Sequence, residues 1–270
     1  MNRPKEIRIS KIKILLLAIT VLWFCSCNLD NFNVEMNLTN DVVVATDIEV
    51  MMKSISVVYE KVESISAKLA NGQAIGIEIS DSGDYWSYIF NADLLFGKII
   101  VGIDTNSNTG AIVKNIDCSN LKIRYSQNIW LKLFGTIIAE DINVNNEDAI
   151  RRITTQNFGY NNDAIAFPKI TINTDYTVKR KNRAQQNDLL RILSQSSSNG
   201  KSELLGNYQQ TITSDLQMDE ATYNIIDGKM RIYVEKLGET LPVEVEYSET
   251  GRIVKYKGNE HKTYYNKLIN

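Results

Sequence analysis

The sequence predicts an α+β fold in which a long N-terminal helix packs on a large curved antiparallel β-sheet, with an open barrel as the alternative form of that sheet. Three observations predict it. Within residues 46–72 the apolar residues recur at alternating steps of three and four, the spacing of one helix face. From residue 75 onward the period becomes two, the repeat of a strand with one face inside. Short links containing Gly, Asn or Asp join these runs, and the whole chain has three prolines to interrupt a ladder.

Residues 1–26 divide into the parts of an export signal. Arg3, Lys5, Arg8, Lys11 and Lys13 form a basic opening, and residues 14–24 are apolar except for Thr20. Such a run is shorter than the about 20 apolar residues that span a bilayer. The stretch Phe24-Cys25-Ser26-Cys27 resembles a bacterial lipobox, in which a small residue precedes a cysteine that is acylated and becomes the new N-terminus. The resemblance implies that Cys27 carries the lipid and that Cys25 leaves with the signal. The plainer reading is a secretory signal with two incidental cysteines. Two or more acyl chains hold a protein at a membrane durably, where one does not. Asn28 stands where many enterobacterial lipoproteins retained at the inner membrane have aspartate, so the resemblance implies the outer membrane.

The signal removes five basic residues and one acid, which leaves the mature chain more acidic than the −2 of the whole. An acidic chain argues against nucleic acid as a partner. Cys118 is then the one cysteine besides Cys27, so no internal disulfide forms and stability must come from burial. In "KNIDCSNLKI" Cys118 reads as a small, half-buried residue in a turn.

Residues 27–45 are polar and rich in Asn over most of their length and read as a lipidated tether. The helix follows. Thr46 and Glu49 have the spacing of a capping box, and Asn71-Gly72 supplies the stop. Ile48, Met51, Ile55, Val58, Val62, Ile65 and Leu69 draw one apolar stripe. A coiled-coil seam is the alternative, weakened by Ser54, Ser56, Ser64 and Ser66, so a helix laid across a sheet is favoured.

Residues 46–270 form one helix-plus-sheet domain in this reading. Candidate strands are 75–80, 85–91, 97–104, 110–116, 121–125, 130–139, 150–156 and 169–178, then 207–213, 221–226, 230–235, 241–247, 251–257 and 263–265. A sheet of roughly ten to thirteen strands tends to curl. Between them, 179–206 breaks the pattern, either as an excursion from one sheet, which is favoured, or as a boundary between two. The last hairpins set their own register. A turn at Leu237-Gly238 puts Met230 opposite Val245, Ile232 opposite Val243, Val234 opposite Leu241 and Arg231 opposite Glu244. A turn at "SETG" then puts Glu244 opposite Lys255, completing an Arg–Glu–Lys ladder on the outer side. Pro242 conflicts with a middle strand and marks a bulge or a frayed end.

The order of lipobox, linker and amphipathic helix, followed by "GKIIVGID", "TGAIVKNIDCSNLKI" and "LFGTI", resembles uncharacterised envelope lipoproteins of Bacteroidetes-type bacteria. The closing meander "IDGKMRIYVEKLGETLPVEVEYSETGRIVKYKGNEHKTYY" extends that likeness over most of the mature chain. The resemblance implies a cell-envelope lipoprotein and no particular activity.

Chemistry has few footholds. A single histidine, His261, removes most nucleophile–histidine–acid arrangements, and zinc would lack ligands. No glycine-rich phosphate loop opens a helix. Asp81 and Asp84 share one short turn and read as turn formers rather than a carboxylate pair across a cleft. "DTNSNTG", residues 104–110, has the alternating oxygens of a calcium loop, but its glycine is at the seventh position and Asn115 stands where a closing Glu belongs. A hairpin loop is the simpler reading. Neither a metal nor a cofactor is therefore expected. "YWSYIF" places Trp86, Tyr88 and Phe90 on one strand face, either packed under the helix or exposed with Trp130 as a stacking surface for sugar rings.

The expected function is that of a non-enzymatic envelope lipoprotein that binds or scaffolds, held to the membrane by its lipid. A carrier of lipid in a helix-covered half-barrel and a surface glycan-binding protein are the alternatives. Its partners would be a glycan, a lipid or another envelope protein.

Overall fold

One helix and a long antiparallel meander make up the described part of the chain, which in this computed structural model comprises residues 39–72, 76–79, 84–91, 94–126, 129–143, 148–162, 167–181, 190–219, 222–238 and 240–265. The signal, Cys27 and most of the tether lie outside these residues. The helix, α1, is Asn40–Ala70. Seven strands follow: β1 (Ile77–Ile79), β2 (Tyr85–Asn91), β3 (Leu95–Thr105), β4 (Ile112–Ser126), β5 (Ile129–Asn143), β6 (Asp148–Asn162) and β7 (Phe167–Lys181). The remainder are β8 (Leu190–Ile192), β9 (Ser197–Ser202), β10 (Gly206–Met218), β11 (Ile225–Val234), β12 (Val243–Ser248), β13 (Gly251–Tyr256) and β14 (Asn259–Tyr264).

Each strand pairs with the next in the chain, always antiparallel, except that β8 and β9 share one position between β7 and β10. Fourteen segments therefore fill thirteen positions of a single sheet. The sheet does not close into a barrel, since β1 and β14 are its two ends.

Bulges let so large a sheet bend. In four successive pairings, β3 to β7, the register shifts at Lys98/Ile100, Asp117/Lys122, Phe134/Thr136 and Thr154/Phe158. Each bulge bends its strand and adds twist. Aligned across neighbouring strands, they form a crease. Gly135 lies on it with φ at 84°, and a Cβ there would stand 2.4 Å from the Asn157 carbonyl oxygen. No side chain fits, so this approach of β5 to β6 requires glycine.

The bent sheet receives α1. Residues 54–60 of the helix are all buried, and seven consecutive residues at 3.6 per turn point in every direction. Ile48, Met51, Val58 and Val62 are wholly inaccessible, Ile55 and Ile65 nearly so, and Leu69 is partly buried. Side chains from β4, β6, β10, β13 and β14 reach the helix, so the sheet wraps it rather than merely supporting it.

Several expectations change. The helix starts at Asn40 instead of Thr46, so residues 40–45 belong to it and not to the tether. The reason is tertiary: Val42, Val44 and Ala45 are buried in the core, which outweighs the poor helix propensity of valine. Thr46 does not cap, because its hydroxyl donates to the Val42 carbonyl at 2.8 Å inside the helix. Glu49 is instead paired with Arg252 of β13.

The candidate strands 110–116 and 121–125 are one strand, β4, and Cys118 is not in a turn but fully buried at its bulge. Residues 190–192 and 197–202 of the 179–206 segment are sheet, so that part neither leaves the sheet nor divides it. At the C-terminal end Met230–Val245, Ile232–Val243, Arg231–Glu244 and Glu244–Lys255 all pair as expected. Leu241 does not join, since β12 begins at Val243, and Pro242 falls just outside the ladder where its missing N–H is harmless. Arg231 bonds Glu244 at 3.0 Å, whereas Lys255 turns diagonally to Glu246 and to Glu260.

Candidate functional site

Strand alternation decides which side chains face α1. On β2 the inward set is Trp86, Tyr88 and Phe90. Trp86 is 1% exposed, Phe90 is 6% exposed, and Tyr88, half-buried, meets Phe90 edge-on with ring centroids 4.9 Å apart. This stripe belongs to the core, and of the four candidate ring residues Trp130 alone faces outward. Cys27 lies outside the described residues.

The inner face also carries polar groups that pin the helix. Arg151 of β6 donates to the Tyr59 hydroxyl at 2.5 Å, pairs with Glu63 at 3.0 Å and bonds Asp141. Lys114 of β4 reaches Glu63 at 2.5 Å. Burial raises the Tyr59 hydroxyl far above its usual range, and the neighbouring anions hold Arg151 protonated against its own burial. Arg252 grips Glu49 and Thr46 near the other end. Buried charge held by several partners locks a geometry more than it adds stability.

Other sequence candidates are structural. Burial, with the Asp117 charge adding to it, pushes the Cys118 thiol up, which keeps it protonated and inert. Asn106 uses its side chain on protein groups, donating to Glu140 of β5 at 2.6 Å and accepting from the Asn108 N–H of its own loop at 3.0 Å, as a hairpin loop does. His261 sits 3.7 Å from the buried Asp41 carboxylate of α1. Asp81 lies outside the described residues. Among the described residues no three His, Cys, Asp or Glu side chains converge as a metal would need, and no helix is long and apolar enough to cross a membrane.

The outer face is not uniform. On β11–β13 its basic residues are matched: Lys229 with Glu246 at 2.9 Å, Arg231 with Glu244, and Lys255 with both Glu246 and Glu260 of β14, while Lys262 of β14 is exposed with no partner among the described residues. On β2–β6 the pattern is different. One row crosses five strands as Asn91, Phe96, Lys122, Lys132 and Asn161, each paired with the next. Phe96 is 51% exposed, and it meets Trp130 edge-on at 6.2 Å. Arg124, directly across from Trp130, lies 4.9 Å from the centre of that ring. Lys122 and Lys132 are exposed, directly opposite each other, and have no ion-pair or hydrogen-bond partner among the described residues. The Asn161 side-chain oxygen is buried without a hydrogen-bond donor.

Of this cluster the sequence singles out Trp130 alone. Phe96 and Lys122 each follow a residue that faces inward, but only the pairing of three strands brings them beside Trp130. The chain matches no protein-family model, no curated protein and no solved structure.

Proposed function

We propose that the protein is a non-enzymatic lipoprotein of the cell envelope, held at the outer membrane through a lipid on Cys27, that binds a partner on its outer sheet face around Phe96 and Trp130. The single observation that carries the reading is the contrast between two regions of that face, β11–β13 and β3–β5. On β11–β13 every outward basic residue has an acidic partner, which makes a solvated surface there. The exposed Phe96 against the partly exposed Trp130, with Arg124 on that ring, is the composition of a contact surface, and Lys122 and Lys132 beside them have no ion-pair partner among the described residues. The close seating of α1, buried on every side over residues 54–60, supports a rigid body rather than a carrier with an apolar cleft.

A photoreactive phenylalanine analogue tests this in intact cells of the native host. Placed at Phe96 of the full-length chain it should yield a discrete adduct, and placed at Tyr233 of β11, among the matched charges, it should not. Equal labelling at both positions, or none at Phe96, would overturn the proposal.

A further inference from the structure

Resting on that reading, we infer that the Phe96–Lys122–Lys132–Asn161 row, with Trp130 and Arg124 beside it, is a subsite for an acidic polysaccharide. Like charges directly opposite on neighbouring strands cost stability, and Lys122 and Lys132 stand in that relation with no carboxylate to relieve it among the described residues. Two acids among the described residues are engaged elsewhere. Glu78 pairs with Lys98 at 3.0 Å, and Asp117 accepts from Ser119 at 2.9 Å and 2.5 Å. An anion from outside therefore completes the row.

The rest of the patch says which kind of anion. Trp130 is a partly exposed ring with a guanidinium on it, able to stack on the apolar face of a sugar while Arg124 adds charge. Amides flank the lysines: the half-buried Asn161 directly across from Lys132, and the exposed Asn120 two residues before Lys122. Amides at this position suit hydroxyl groups. Neighbouring strands lie about 4.8 Å apart, a spacing comparable to the length of one pyranose unit, so successive positions of the row meet successive sugars of an extended chain. A membrane surface would instead favour a rim of rings without amides. Nucleic acid would require many cations to neutralise its phosphates, and this chain has a net charge of −2.

The test uses the full-length protein in phosphatidylcholine nanodiscs. Polygalacturonate, neutral galactan, a single-stranded DNA oligonucleotide and phosphatidylglycerol vesicles serve as the four probes. The expected result is binding to polygalacturonate over galactan that weakens as salt rises. Lys122→Gln with Lys132→Gln should reduce it at least tenfold, Trp130→Ala should do the same, and Lys255→Gln should have no effect. Circular dichroism should be unchanged in the lysine variants, whose side chains are exposed, so they keep the test valid even where Trp130→Ala unfolds. Equal affinity for galactan, preference for DNA or vesicles, or unaltered binding by the double lysine variant would overturn the inference. A Phe96 adduct in cells together with no polysaccharide binding would overturn the ligand class alone and leave the contact surface standing.

Discussion

Asp47 is the residue most at odds with its surroundings. It is 7% exposed, accepts from the Tyr160 hydroxyl at 2.9 Å through one oxygen, and has no partner for the other. Tyr160 on β6 and Tyr208 on β10 face it, both un-ionised at ordinary pH because burial raises them well above their usual value. Burial also drives the Asp47 carboxyl up to about 6, with the Tyr160 bond opposing part of the shift. A raised carboxyl binds its proton more tightly in the folded chain than in the unfolded one. Its contribution to stability is therefore fully present below pH 3.8 and is lost as pH rises towards 6. At 1.36 kcal/mol per pH unit the loss amounts to about 3 kcal/mol. Asp47→Asn should thus stabilise the protein at pH 7.5 by about 1–3 kcal/mol, since one amide hydrogen pair is left to find a partner. Urea denaturation at pH 4 and pH 7.5 checks this. The variant should lose the difference between the two that Asp47 supplies, and equal pH dependence in both proteins would refute the assignment.

Among the elements, the crease through β3–β7 does the most to shape the molecule. Without it, strands such as β4–β7, each of fifteen residues, would run on without the bends that bring the sheet round a helix of 31. Its most constrained point is Gly135, opposite Asn157, which itself has φ at 49°. Alanine at position 135 would meet backbone atoms of Asn157 and Phe158 at 2.4–2.7 Å, and backbone cannot rotate aside as a side chain can. Backbone strain of this kind costs about 1–3 kcal/mol before any clash is added. Gly135→Ala should lower the denaturation midpoint clearly, while Gly238→Ala, at a turn with open space around it, should cost less. Similar losses from both would show that the crease is not under strain. The period-two pattern made strands legible here, but not their length. Residues 117–120 read as a turn because Asp, Ser and Asn favour turns, yet the same residues lie at a bulge once β3 and β5 flank them.

At the scale of the molecule, α1 acts as the core around which the meander closes. Val58 is wholly inaccessible within a stretch buried on every side. An unpaired carboxylate there would have no route to water, and burying one costs far more than a domain's net stability unless it is neutralised. Val58→Asp should give no folded protein, as judged by loss of the cooperative thermal transition. A folded Val58→Asp protein would mean that the concave side can open, which would revive the carrier reading.

By itself the sequence determined the class of the fold, the apolar stripe of α1, the existence of the meander and the register of its last hairpins. These features repeat locally, and neighbouring residues suffice to specify them. Met230, Ile232, Val243, Val245 and Val254 can be placed inside by counting alone, because alternation and a short turn leave one register that buries them together. The tertiary structure decided everything that depends on meeting a distant strand. It extended α1 back to Asn40 by burying Val42 and Val44, turned Trp86 and Phe90 inward, and merged two short runs into β4. It also brought Phe96, Lys122 and Trp130 together from three strands. No local period encodes such a meeting, because each bulge shifts the register of every strand beyond it, and the sum of those shifts exists only in the assembled sheet.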